Sequence, residues 1–237
     1  MRRTKIICTM GPATDNEDVL RDLMLNGMDV ARLNFSHGSH EEALERINRI
    51  KKVRDELNIP VAILLDTKGP EVRIKDFKEG KVELKEGQKF TLCTDDVVGD
   101  ENQVSITYAN LPNDVKVGSK ILIDDGLIEM EVISVKNSKI LCKVKNGGVV
   151  SNKKGVNVPN VALSMPYMSK KDIDDILFGI EQDVDFIAAS FVRTADDIRE
   201  IKTLLRDNGG RDIRIIAKIE NAEGVDNIDD IIRETHG

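Results

Sequence analysis

The sequence predicts an α/β protein: an incomplete TIM-type (β/α) barrel, with about five of the usual eight strands, that carries a small inserted β-barrel domain. Three observations predict this architecture. Strands alternate with amphipathic helices in both outer parts of the chain, short alternating strands fill residues 71–163, and polar side chains follow most of the buried strands. The predicted domains are 1–69 (barrel, first part), 70–166 (insert) and 167–237 (barrel, second part).

Composition excludes several classes of partner. The chain has 237 residues and 40% apolar content, enough to bury one or two cores. Its net charge is −7 and it has no run of Lys or Arg, so nucleic acid is not expected as a partner. No apolar segment has the length of a membrane span or of a signal-peptide core, which predicts a cytoplasmic protein without a membrane partner. Three histidines, and three cysteines without ligand spacing, leave hard, oxygen-bound metals as the ones to expect.

The first barrel segment reads as two strand–loop–helix units followed by a third strand. Strands are predicted over 5–10, 29–35 and 61–66. Thr14 and Asp15 stand as caps before the first helix. The second helix is predicted from about 40 to 57, with an inward face formed by Leu44, Ile47, Ile50 and Val53.

The insert and the second barrel segment differ in their sequence patterns. In the insert, Gly, Asn and Asp turns separate strands predicted over 81–84, 89–92, 104–107, 120–123, 128–135 and 140–144. After residue 166 helical periodicity returns, with Ser169 as the cap of a helix over 170–180. Two further strands are predicted at 185–191 and 213–219, with helices at 196–206 and about 225–233.

Polar residues leave four of the five predicted barrel strands. They are Arg32, Asn34 and Ser36; Asp66, Thr67 and Lys68; Ser190 and Arg193; and Lys218, Glu220 and Asn221. In (β/α) barrels the active site is built at the carboxyl ends of the strands, so this pooling predicts a catalytic rim. A doubly wound open sheet is the competing fold, but it usually shows a glycine-rich phosphate loop that this sequence lacks.

These residue types suit the chemistry of phosphoryl groups. Arg32 and Arg73 can grip phosphate or carboxylate oxygens with two parallel hydrogen bonds. Glu220 offers a carboxylate to Mg²⁺, and Lys218 can stabilise charge on a transferring phosphoryl group or on an enolate. A second oxygen set bears one formal negative charge and suits a monovalent cation: Asn34, Ser36, Asp66 and Thr67. A serine nucleophile at Ser36 beside His37 is disfavoured, because adjacent residues of an extended chain point apart.

The chain resembles the amino-terminal part of the pyruvate kinase family along essentially its whole length. Five motifs in order carry the resemblance: RTKIICTMGPA (3–13), ARLNFSHG (31–38), LDTKGPEVR (65–73), KKGVN (153–157) and IRIIAKIENAEGV (213–225). The first two are similar to the family's first two barrel strands, the next two to the junctions with its lid domain, and the last to its signature. The resemblance implies phosphoryl transfer from phosphoenolpyruvate to ADP, a glycolytic reaction that gives pyruvate and ATP.

The resemblance also implies cofactors and residue roles. Arg32 would bind the transferring phosphate and Lys218 would stabilise the transition state, both as substrate-binding and catalytic residues. Glu220 would ligate Mg²⁺ or Mn²⁺. The K⁺ ligands would be Asn34, Ser36, Asp66 and Thr67, and the nucleotide contacts would be Asn34, His37, Arg73 and Lys154. The inserted β-barrel would act as a lid, and the full-length family implies a homo-oligomer, a tetramer, although the sequence does not determine the state of this chain.

The resemblance covers only part of the family's pattern. The family continues with a sixth strand that carries a metal-binding aspartate, a loop with a substrate-binding threonine and a regulatory domain, and it usually has aspartate where His236 stands. The chain is therefore expected to be truncated before that strand. An unclosed barrel exposes sheet edges and apolar helix faces, which predicts self-association, and one metal carboxylate instead of two predicts negligible phosphoryl transfer by this chain alone.

Two other functions stay open at this point. One is a barrel aldolase that handles a metal-bound enolate, which shares the carboxylate, metal and arginine chemistry but gives no reason for the insert. The other is a non-catalytic fragment of a split or broken gene.

Overall fold

The computed structural model describes residues 3–36 and 38–237. They form two compact units, the first within 1–70, 167–220 and 224–237, and the second within 71–166 and 221–223. In chain order the elements are β1 (Ile7–Thr9), α1 (Glu17–Leu25), β2 (Val30–Asn34), α2 (His40–Leu57), β3 (Ala62–Asp66), β4 (Val72–Arg73), β5 (Lys81–Leu84), β6 (Lys89–Cys93), β7 (Gln103–Ser105), α3 (Leu111–Asp114), β8 (Lys120–Ile123), β9 (Ile128–Lys136), β10 (Lys139–Val144), β11 (Gly148–Ser151), β12 (Gly155–Asn157), α4 (Lys170–Glu181), β13 (Phe186–Ala189), α5 (Ala195–Asp207), β14 (Arg214–Ala217), α6 (Ala222–Asp226) and α7 (Ile228–Glu234).

A five-stranded sheet organises the first unit. Its order is β1-β2-β3-β13-β14, and every neighbouring pair is parallel. Parallel strands that neighbour one another in chain order, with helices between them, are the arrangement of a (β/α) barrel, so the predicted fold class is confirmed. Because the strands are parallel, their carboxyl ends meet at one edge, where Asn34 is in register with Asp66, and Asp66 with Ala188.

Buried apolar side chains cover one face of this sheet, the face packed against the helices. Ile63, Leu65 and Ile187 are fully buried within it. Ile47 and Ile50 of α2 are also buried in this core. A capping box begins α2, because Ser39 Oγ accepts from the amide of Glu42 while Glu42 reaches back to the amide of Ser39. At the other end Asn58 terminates α2 in the left-handed region, with φ of 52°.

Two details of the sequence-based assignment are wrong, the caps of α1 and the undivided last helix. Asn16 caps α1, accepting from the amides of Asp18 and Val19, because residues Pro12–Thr14 form a 3-10 turn that displaces the predicted caps. Leu44 packs against the core as predicted and is partly buried, and Ala43 is a further buried position on α2. The helix predicted over 225–233 is divided into α6 and α7, which begins after its N-cap residue Asn227.

Ile47 provides a test of this core. Ile47→Ala is expected to lower the free energy of unfolding by about 2–5 kcal/mol, because a fully buried side chain leaves a cavity. Ile232→Ala is the matched control, since Ile232 is 61% exposed on α7 and its loss should cost less than about 0.5 kcal/mol. Urea unfolding followed by circular dichroism measures both. Equal losses would show that α2 does not face a packed core.

The described residues of the second unit are mainly β, with α3 and the first two residues of α6 as their helical parts. A seven-stranded sheet has the order β4-β12-β8-β9-β10-β6-β7, and β11 pairs with β5 in a separate ribbon. The amide of Lys75 donates to the carbonyl of Ser105 (2.7 Å) and that of Thr107 to Arg73 (2.8 Å). These bonds join the two edges of the larger sheet, so it closes into the predicted small barrel. The sequence missed the short strands β4, β11 and β12, because they are defined by pairing with a neighbouring strand rather than by their own composition.

None of the helices among residues 3–36 and 38–237 combines the length and the apolar character needed to cross a lipid bilayer.

Candidate active site

Asp66 lies at the centre of a charged cluster at the carboxyl edge of the parallel sheet. It is the last residue of β3 and is only 1% exposed. Its Oδ2 accepts from Nε of Arg32 (2.6 Å), which also pairs through Nη2, and its Oδ1 accepts from Nζ of Lys218 (3.1 Å). A buried carboxylate is tolerated only when it is paired, and here two cations pair with it, Arg32 on β2 and Lys218 directly after β14.

Lys218 connects Asp66 to Glu220. Its Nζ lies 3.1 Å from Asp66 Oδ1 and 3.4 Å from Glu220 Oε1. The side chains of Arg32, Lys218 and Glu220 are each about one-third exposed, at 32%, 31% and 34%. The cluster therefore contains two positive and two negative groups. Asp66 is buried, and the other three side chains remain accessible to a ligand.

Ser190 lies within this cluster, although the sequence suggested only that it leaves a strand. It is 2% exposed and follows β13 directly. Its hydroxyl donates to the carbonyl of Thr67 (2.6 Å) and accepts from Nζ of Lys218 (2.9 Å). The hydroxyl also lies 3.2 Å from Asp66 Oδ1. Ser190 therefore orients the lysine, and its position at a strand exit was the one available signal in the sequence.

The four oxygen-bearing residues proposed for a monovalent cation end two adjacent strands. Asn34 Oδ1 accepts from the amide of Ser36 (2.9 Å). Thr67 is 4% exposed, and its hydroxyl donates to the carbonyl of Ala188 (3.3 Å) and accepts from the amide of Ser190 (3.2 Å). Amide, hydroxyl and carboxylate oxygens with one formal charge are compatible with K⁺, so the donor chemistry fits that ion.

Glu220 is the candidate ligand for a divalent cation. Its Oε2 accepts from the backbone amide of Phe191 (3.0 Å), which holds the carboxylate in one orientation. No group of three His, Cys, Asp or Glu side chains placed to hold a metal occurs in the described part of the chain. Mg²⁺ commonly takes only one or two protein carboxylates, completed by water and substrate oxygens, so a single accessible carboxylate fits this ion.

Tyr167 contacts the backbone of this cluster at Ser190. Its hydroxyl donates to the carbonyl of Ser190 (3.0 Å), and Arg193 lies over its ring at 5.8 Å from the centroid. Burial, followed by the charges of Asp197 and Asp172, raises the pKa of this hydroxyl well above its usual value. Tyr167 therefore remains a protonated donor at any ordinary pH. Sequence reasoning missed it, because nothing local distinguishes it from a core aromatic residue.

Two proposed nucleotide contacts belong to the second unit and neighbour each other there. Arg73 of β4 pairs with Glu71 (2.5 Å) and donates to the carbonyl of Lys153 (2.5 Å). Lys154 pairs with Asp124 (2.9 Å) and precedes β12, which is antiparallel to β4. Two adjacent cations could contact the phosphates of a nucleotide. His37, the third proposed phosphate contact, lies outside the described residues.

One cavity lies away from this cluster. It has a volume of about 310 Å³ and is lined by Lys202, Leu205, Arg206, Gly210, Arg211, Ile213, Ile215 and His236. None of the candidate site residues lines it. The convergence of charged side chains, rather than this concavity, therefore identifies the candidate active site.

Comparison with known proteins relates the whole chain to one family. Residues 1–237 match the family model described as the pyruvate kinase barrel domain. The chain is 53% identical over 238 residues to the pyruvate kinase of Geobacillus stearothermophilus, with all of this chain and 40% of that protein covered. It is 49% identical over 238 residues to that of Clostridium perfringens, with all of this chain and 50% of that protein covered. The chain therefore spans half or less of the length of these relatives.

Proposed function

This chain belongs to the pyruvate kinase family, and from that premise we propose that it supplies part of an active site that transfers the phosphoryl group of phosphoenolpyruvate to ADP. The observation that carries the proposal is the contact of Lys218 with Asp66, Ser190 and Glu220, with Arg32 paired to the same Asp66. This arrangement directs two cations and one carboxylate toward a common accessible point, as the transfer of a charged group requires.

Each side chain has a role that follows from its charge. Arg32 would hold oxygens of the phosphoryl group with the exposed part of its guanidinium. Lys218 would stabilise the negative charge that develops as the bond to the enol oxygen breaks. Asp66 would hold both cations in place, because it pairs with Arg32 and with Lys218, and Ser190 would help to hold Lys218.

The cations and the nucleotide complete the proposal. Glu220 would hold Mg²⁺ or Mn²⁺, which neutralises phosphoryl oxygens when bound. The K⁺ site would comprise Asn34, Ser36, Asp66 and Thr67. The phosphates of ADP would contact Asn34, His37, Arg73 and Lys154, with the inserted barrel acting as a lid. Phosphoryl transfer depends mainly on positioning and charge neutralisation, which these groups can provide.

A coupled assay tests the proposal on the complete gene product that contains these 237 residues. With phosphoenolpyruvate, ADP, Mg²⁺ and K⁺ we expect pyruvate to form, and omission of either cation should lower the rate at least tenfold. Aldol cleavage of a 2-oxo acid is measured in parallel. Absence of pyruvate formation under all of these conditions, or aldol cleavage in its place, would overturn the proposal.

A further inference from the structure

The peptide unit that joins Ser190 to Phe191 is hydrogen-bonded at both of its ends. Its carbonyl oxygen, that of Ser190, accepts from the hydroxyl of Tyr167 (3.0 Å). Its amide, that of Phe191, donates to Oε2 of Glu220 (3.0 Å). A peptide unit is planar, so its carbonyl and its amide must turn together. The orientation of the Tyr167 contact therefore determines whether the amide points at Glu220.

Gly69 lies close to the carbonyl end of this peptide. A Cβ atom added to Gly69 would lie 2.5 Å from the oxygen of Ser190, and the φ of Gly69 is +67°, so a side chain is excluded for two reasons. The amide of Gly69 is itself held by Oδ1 of the buried Asp172 (2.9 Å). Among the described residues the Ser190 carbonyl thus accepts from one donor, Tyr167, and it lies close to the backbone of Gly69.

The amide end of the peptide is strained. Phe191 has a φ of +55°, in the left-handed region that bulky residues rarely adopt. Rotation of the peptide unit would return Phe191 to negative φ, and it would also turn the amide away from Glu220. Such an outlier persists only where the surroundings determine it, and the Tyr167 hydroxyl is the contact best placed to do so.

We propose that Tyr167 is a positioning residue for Glu220, acting through the strained Ser190–Phe191 peptide. The proposal concerns the orientation of a carboxylate, and its consequence for metal binding rests on the proposed function. Loss of the Tyr167 hydroxyl frees the peptide to rotate. Glu220 then loses its amide donor and keeps only its ion pair with Lys218 (3.4 Å), so its carboxylate is held less firmly.

The direct test observes the Phe191 amide without any metal. The complete gene product is labelled with ¹⁵N-phenylalanine, and the Phe191 signal is assigned as the one that disappears in Phe191→Asn. An amide bonded to a carboxylate is expected downfield, and Tyr167→Phe should move it upfield as far as Glu220→Gln does. Tyr108→Phe is the matched control, because it removes a tyrosine hydroxyl that donates to Asp114 in the other unit. A Phe191 signal that Tyr167→Phe leaves in place would overturn the proposal.

A second test measures the consequence for metal binding in the complete gene product. Binding of Mn²⁺, followed by electron paramagnetic resonance, should weaken about tenfold in Tyr167→Phe and change less than about twofold in Tyr108→Phe. The double variant Tyr167→Phe/Phe191→Asn should recover most of the affinity, because asparagine tolerates the left-handed region and removes the reason to rotate. If Tyr167 had only a structural role, the second substitution would not restore Mn²⁺ binding. A double variant that binds Mn²⁺ no more tightly than Tyr167→Phe would therefore overturn the proposal.

The two tests separate this inference from the proposed function. If Glu220→Gln leaves Mn²⁺ affinity unchanged, the metal role of Glu220 is wrong, while the shift of the Phe191 amide still decides whether Tyr167 orients it. If Tyr167→Phe does not fold, the amide is read in the wild-type chain and in Glu220→Gln. A Phe191 amide that is not downfield of its position in Glu220→Gln would then overturn the proposal.

Discussion

Replacement of Lys218 by glutamine is expected to lower kcat of the complete gene product about 100- to 1,000-fold. Glutamine keeps a polar side chain of similar reach but removes the positive charge, and loss of one group that stabilises transition-state charge typically has an effect of this size. The KM for ADP should change little, because the side chains that Lys218 contacts are Asp66, Ser190 and Glu220, and none of these three is a proposed nucleotide contact.

Lys202→Gln is the matched control for this prediction. Lys202 also pairs with a carboxylate, that of Glu234 at 3.2 Å, but it lies on α5 and is 40% exposed. Its substitution should leave kcat within about twofold, since exposed ion pairs contribute little. Steady-state kinetics measure kcat and KM for both variants. Equal losses of kcat would remove Lys218 from the chemistry, and a change confined to KM would make it a binding group only.

Replacement of Asp66 by asparagine is expected to destabilise the first unit by about 2–4 kcal/mol. Removal of one partner of a buried ion pair typically costs about 3–5 kcal/mol, because a charge is left without compensation. Asp66 is buried, but Arg32 and Lys218 are each about one-third exposed, at 32% and 31%, so water recovers part of that cost. In the variant, Arg32 and Lys218 would lie on either side of a neutral amide. The catalytic activity should therefore fall together with the free energy of unfolding.

Asp15→Asn is the matched control, because it shows how much the loss of a more exposed carboxylate between two cations costs. Asp15 also lies between two arginines, Arg46 and Arg49, but its side chain is 37% exposed. Its substitution should therefore cost no more than about 1 kcal/mol. Urea unfolding followed by helical circular dichroism reports on the first unit, because all but two helices lie wholly within it. A loss for Asp66→Asn no larger than that for Asp15→Asn would contradict the central role of the Asp66 carboxylate.

Local patterns in the sequence were sufficient to predict the framework of the site. The helix α2 was predicted with its observed start and end, because the apolar periodicity on which the prediction rests acts within a few residues. Asp66 and Lys218 were expected at one edge, because parallel strands bring their carboxyl ends together whatever the details of packing. The short strands β4 and β12 were missed, since they are defined by pairing rather than by their own composition.

The sequence by itself determined the parallel strands, the inserted barrel and the residue types that collect at the strand ends, because periodicity and chain order act along the backbone. Only the tertiary structure decided that Ser190 holds Lys218, that Tyr167 reaches the carbonyl of Ser190, and that Phe191 takes a left-handed conformation beside Glu220. Ser190 and Lys218 are 28 positions apart, and Tyr167 and Ser190 are 23 apart. Contacts at that separation depend on how helices and strands pack, and no local pattern in the sequence encodes them.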